Sequence, residues 1–249
     1  MAAPQQLPAR RPRNFRARRD VLEELSDEEL IKRYRLDRAG ILFVTDLVRE
    51  SLEADTKRSN ALSAELKIII TLRFLATGKM QLCSSDDLGV SQPTVSRVVN
   101  DTIYALSRPA ILLRFIKFLP SVATAERRKA EFWQIAQFPG VIGVIDCSHI
   151  PIMAPKEEEM VFVNRKHFHS LNVQFIFDAN YKILNVLAKW PGSVHDARIL
   201  NESGIKRLFD SGMVPPGCHL LGDSGYGSQR WLLTPYHRPL PGPQSRYNR

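Results

Sequence analysis

Two apolar runs in this 249-residue chain each stop on an aspartate followed by small residues, GVIDCS around Asp146 and LLGDSGYG around Asp223. A buried strand does not carry a lone carboxylate without cost, because an ion taken out of water must neutralise or find a partner. In an open α/β sheet, side chains at strand ends gather at one edge, where sites form. Asp146 and Asp223 are therefore expected side by side, sharing a proton or a cation. Hard oxygen donors with open coordination suit a divalent metal cation, Mg²⁺ or Mn²⁺.

The segments around these runs fit such a sheet. VIGVID reads as a strand, LNVQFIFDAN and YKILNVLAKWPG as a hairpin turning at Ala179 and Asn180, VHDARILNESGIKRLFDSG as a helix, and CHLLGD as another strand. This β-rich texture begins near Arg127, so residues 127–249 are expected to form a mixed α/β sheet domain with the first and last of these strands as central neighbours.

Residues 21–126 read as a helical domain. SDEELIKRYRL has Ser26 as N-cap with acids in the first turn, and AGILFVTDLVRESL and SAELKIIITLRFLATG repeat the helical period. Over about 84–100, a short helix starting near Ser84 or Ser85 ends at Gly89, and a second starts with Ser91 as N-cap and Pro93 in its first turn. That layout is a helix-turn-helix. Gln92, Thr94, Ser96 and Arg97 are expected to face outward, over a core of Leu88, Val90, Val95, Val98 and Val99. Many helical pairs with a glycine turn bind no DNA, so charge weighs in the reading. The chain carries a formal net charge of +9, which favours nucleic acid over acidic proteins as partner. Residues 1–20 read as a disordered basic arm with Arg10, Arg11, Arg13, Arg16, Arg18 and Arg19, suited to phosphates or nuclear import but equally to a solvated tail.

Other chemistries fit less well. Three cysteines, Cys83, Cys147 and Cys218, with no CxxC spacing indicate neither a disulfide framework nor a zinc cluster. The start MAAPQQLPARRPR has no apolar signal core, and LKIIITLRFLATG is short and broken by Arg73, so neither secretion nor membrane insertion is expected. Cys147 and Ser224 follow aspartates without the base pairing or G-x-S-x-G elbow of a nucleophile. His149 and His195 lack partners at zinc spacing and fit supporting hydrogen bonds better. Asp196, in WPGSVHDARIL, sits where an acid commonly complements a helix dipole. The cluster Asn164, Arg165, Lys166, His167 and His169 either holds substrate phosphates or faces solvent. Tyr226 and Trp231 are open to base stacking or to packing.

GVIDCSHIPI, FVNRKHFHSLNVQFIFDAN, WPGSVHDARIL and LLGDSGYGSQRWLLTPY with RYNR resemble, in order and wording, the Harbinger transposase-derived nucleases, relatives of the PIF/Harbinger transposases of the DDE superfamily. The resemblance implies an RNase H-like fold in which divalent ions held by three carboxylates hydrolyse a DNA phosphodiester, one ion activating water and the other stabilising the leaving oxygen. Asp146 and Asp223 match the first two catalytic acids and Asp196 a further metal ligand. The resemblance also implies DNA contact by Arg165 and Lys166, residence in the nucleus and also the cytoplasm, and a Myb-like nuclear partner protein. The family's third catalytic acid is a glutamate on a helix beyond the GDSGY strand. No Asp or Glu follows Asp223 here and the sequence ends at Arg249. The expectation is an RNase H-like domain truncated at its C-terminus, with impaired nuclease activity and exposed apolar strand surface. The alternative is a catalytically inactive DNA-binding or partner-binding nuclear protein.

Overall fold

The computed structural model describes residues 20–53 and 61–248, in two compact units that divide between Leu112 and Leu113. The basic arm up to Arg19 lies outside the described residues. In the first unit, α1 (Val21–Glu24), α2 (Asp27–Tyr34), α3 (Arg38–Leu52), α4 (Ala64–Thr77), α5 (Gln81–Leu88) and α6 (Gln92–Leu106) follow one another. Ser26 starts α2 through a capping box, its Oγ accepting from the Glu29 N–H while the Glu29 carboxylate accepts from the Ser26 N–H. Ile41, Val48 and Leu52 of α3 join Ile68 and Ile70 of α4 and Val95, Val98 and Val99 of α6 in one buried cluster.

Helix α5 begins at Gln81 rather than near Ser84 or Ser85. Both serines are buried within it, and Met80 precedes it without a side-chain cap. Gly89 ends the helix in the left-handed conformation, φ 65°, where a side chain would be strained. Ser91 and Pro93 open α6 as expected, and Gln92 and Arg97 stand exposed while Thr94 and Ser96 are half-buried. Leu88, Val95, Val98 and Val99 are buried with Val90 packed beside them.

After α7 (Pro109–Phe115), which spans the point of division, come α8 (Val122–Ala136), β1 (Val141–Pro151), β2 (Ser170–Phe177), β3 (Ile183–Pro191), α9 (Asp196–Asn201), α10 (Gly204–Asp210), β4 (His219–Leu221), β5 (Leu232–Leu233) and α11 (Pro243–Tyr247). Because α8 packs on β1, the second unit takes in this helix whole instead of starting near Arg127. Buried Arg128 on α8 donates to the Phe118 carbonyl at 3.0 Å and so ties down the preceding segment. The segment expected as one helix after His195 is two, broken at Glu202 and Ser203.

The five strands lie in the order β3-β2-β1-β4-β5. β1 pairs antiparallel with β2 and parallel with β4, so the first and last expected strands are indeed neighbours. β1 does not stop at Asp146; it runs on to Pro151, paired with β2 throughout. What stops is β4, whose pairing with β1 reaches only Val144–Leu221. Asp146 is thus a mid-strand residue that lies just past the end of one neighbour. Beside α8 the sheet keeps an open apolar groove of about 320 Å³ whose lining includes Phe132, Ile135, Val144, Phe177 and Tyr181. No described helix is long and apolar enough to cross a membrane.

Candidate functional site

Three elements converge where β4 gives out. β1 contributes Asp146, the turn after β4 contributes Asp223, and the first residue of α9 is Asp196. The Asp223 side chain is fixed by its own turn, accepting from the Gly225 N–H at 3.0 Å. Gly225 then opens the space between two carboxylates. A Cβ built on it would stand 3.0 and 3.5 Å from the two Asp223 oxygens and 3.5 Å from Asp196 Oδ2. Any larger residue would therefore intrude on the gap that the two acids face.

Asp146 is the third member at longer range. Its side chain is exposed and accepts from the Cys147 N–H at 2.8 Å. Partial desolvation holds its pKa above the usual carboxylate range, and the negative charges of Asp223 and Asp196 push the same way against that hydrogen bond. Each carboxylate is felt by Asp146, which is the electrostatic signature of a place that favours a cation. Among the described residues no three His, Cys, Asp or Glu side chains are gathered closely enough to form a finished metal cage. The donor set still fits a hard divalent ion, which accepts carboxylate oxygens and completes its shell with water.

The surrounding groups sort into packing and support. Tyr226 is buried and donates its hydroxyl to Cys147 Sγ at 3.2 Å, so it packs and does not stack on a base. Burial, with the Asp196 and Asp146 charges, drives the Cys147 thiol up to about 12 despite that bond. Trp231 stacks on Phe209, ring centroids 4.4 Å apart, and is likewise committed to the fold. His149 Nδ1 lies 3.1 Å from Ser170 Oγ, which also accepts from Asn164 Nδ2 at 2.9 Å. Burial lowers the His149 pKa, Arg165 and Lys166 lower it further, and Asp196 opposes them. The exposed Arg165 and Lys166 are therefore close enough to act on this edge of the site. His195 is exposed at the start of α9, and Gln92, Thr94 and Arg97 belong to the other unit.

Sequence reading missed Asn172. Its buried Nδ2 donates to Asp196 Oδ1 at 2.9 Å and to the Val194 carbonyl at 2.8 Å. The only available signal was an amide in the middle of an apolar strand.

Residues 145–249 match the DDE superfamily endonuclease family, a range that contains all three aspartates. The rat protein named "Putative nuclease HARBI1" is 39% identical over 92% of this chain and 64% of its own length. The human protein of that name is 37% identical over 91% of this chain and 64% of its own. "Protein ALP1-like" of Arabidopsis thaliana is 27% identical over 87% of this chain and 57% of its own. The chain thus spans under two thirds of the length of these relatives. No solved structure matches it. With all three aspartates inside the matched range, residues 145–249 carry a DDE superfamily endonuclease domain, and most of the chain is similar to proteins named putative nuclease.

Proposed function

We propose that the second unit is an RNase H-like nuclease domain that hydrolyses DNA phosphodiesters with divalent metal held by Asp146, Asp196 and Asp223. The observation that carries this reading is the facing pair Asp196 and Asp223 across Gly225, with Asp146 near enough to be perturbed by both. A Mg²⁺ or Mn²⁺ ion bound there supplies a polarised water and stabilises a leaving oxygen. The protein's own part is to hold three acids at the mouth of the sheet and to set Arg165 and Lys166 beside them for substrate phosphates. Calorimetric titration of the chain with Mn²⁺ tests it. Asp146→Ala is expected to abolish binding while far-UV circular dichroism stays unchanged; undiminished binding overturns the assignment.

A second reading has its own support. The exposed Gln92 and Arg97 at the start of α6 follow a tight glycine turn, as in a helix-turn-helix that meets base edges. On this reading the chain is a catalytically inactive DNA-binding nuclear protein. Duplex binding then survives EDTA and fails in Arg97→Glu; retention of affinity in that variant removes this reading.

A further inference from the structure

The geometry points to Asn172 as a positioning residue that orients Asp196, a role that rests on the metal-dependent reading above. Asn172 lies on β2 opposite His149 of β1 and is 1% exposed. Its amide nitrogen has two N–H groups and both are engaged, one by the Val194 carbonyl and one by Asp196 Oδ1. Both of these partners are acceptors, so only the nitrogen end of the amide can face them. One side chain thereby ties the carboxylate to the backbone just before α9.

That tie decides which oxygen is free. With Oδ1 held, Oδ2 is the atom that stands 3.5 Å from the Cβ position of Gly225, where both Asp223 oxygens also lie. A carboxylate turns easily about its terminal torsion, so an unheld Asp196 would spread its oxygens over several directions. A fixed donor removes that freedom before an ion arrives, as hydrogen bonds behind metal ligands generally do. A neutral amide is the suitable donor: lysine or arginine would cancel charge that the site needs, and an acid would repel Asp196.

The cost of this choice is visible in the structure. Among the described residues, Asn172 Oδ1 is buried with no hydrogen-bond partner, and both amide atoms of fully buried Gln174, on the same face of β2, are in the same condition. An apolar residue at 172 would avoid an unpaired buried carbonyl, which is unfavourable wherever it occurs. The amide is explained by what its other end holds.

A double-mutant cycle on the whole chain, read as Mn²⁺ affinity by calorimetry, separates positioning from simple support of the fold. Asn172→Leu is expected to weaken Mn²⁺ binding by roughly tenfold to a hundredfold. In an Asp196→Ala background, titrated at Mn²⁺ concentrations that still saturate the weakened site, it is expected to change nothing further. Wild-type affinity in Asn172→Leu overturns the role, and so does a loss that persists undiminished without Asp196. If the leucine variant does not fold, Asn172→Ser removes the same reach to Asp196 in a smaller polar residue and is held to the same two outcomes. A wild-type chain that takes up no Mn²⁺ is a different failure, because it overturns the metal reading itself.

Discussion

Cys147 stands one residue from Asp146 and has the reactivity of a core side chain. Its thiol is pushed up to about 12 by burial, whereas an ordinary thiol titrates near 8.5. A raised pKa means less thiolate at pH 8, and alkylation follows the thiolate. Cys218 is buried with its pKa also raised, while Cys83 is exposed. A short iodoacetamide pulse at pH 8 followed by peptide mapping is expected to label Cys83 first, with Cys147 and Cys218 reached only in denaturant. Labelling of Cys147 at the rate of Cys83 would show that the Tyr226 contact is open in solution. The aspartates were legible because a charge that closes an apolar run is anomalous in one dimension. Asn172 and the Cys147–Tyr226 pair were not, since an amide or a thiol in a strand is ordinary until its partner, 24 or 79 residues away, is known.

Elements follow the same division between local and distant causes. The start of α2 was readable because its capping box joins residues three apart, Ser26 and Glu29. Ser26→Ala is expected to cost about 1 kcal/mol in denaturant unfolding of the first unit, since it leaves helix N–H groups to water. Glu29→Gln keeps the reciprocal bond to the Ser26 N–H and is expected to cost less; equal losses would mean that the Glu29 charge, and its ion pair with Arg33, carries the effect. The start of α5 was unreadable because Met80 supplies no side-chain cap, and Ser84 and Ser85 lie buried inside the helix instead of opening it. Two-residue β5 is too short to show a period, and it exists because β4 offers an edge to pair with. The length of β1 was misjudged for a related reason. Its sequence looks finished at Asp146, but pairing with β2 continues to Pro151, and only the shortness of β4 exposes the carboxylate.

At the scale of the whole chain, charge is unevenly placed. Residues 20–112 hold twelve Lys and Arg against fifteen Asp and Glu, whereas residues 113–249 hold seventeen against eleven. The remaining excess is the six arginines from Arg10 to Arg19. The positive surplus of +9 therefore belongs to the arm and the sheet-bearing unit, and the helical unit is net acidic despite Arg97 on its exposed turn. If DNA is the partner, non-specific affinity should come mainly from the first two sources, because phosphate neutralisation sets both its strength and its salt dependence. Each phosphate contact contributes roughly 0.9 to the slope of log affinity against log salt on duplex DNA. Deleting residues 1–19 is expected to lower that slope by several units, and Arg165→Ala with Lys166→Ala by about two more, while Arg97→Ala lowers it by at most about one. Fluorescence anisotropy with a labelled duplex across a salt series, in EDTA, measures all three. An unchanged slope on deletion of the arm, with a large drop in Arg97→Ala, would place the phosphate contacts on α6 instead. The net acidity of the helical unit would then have to be outweighed by the local face that Gln92 and Arg97 present.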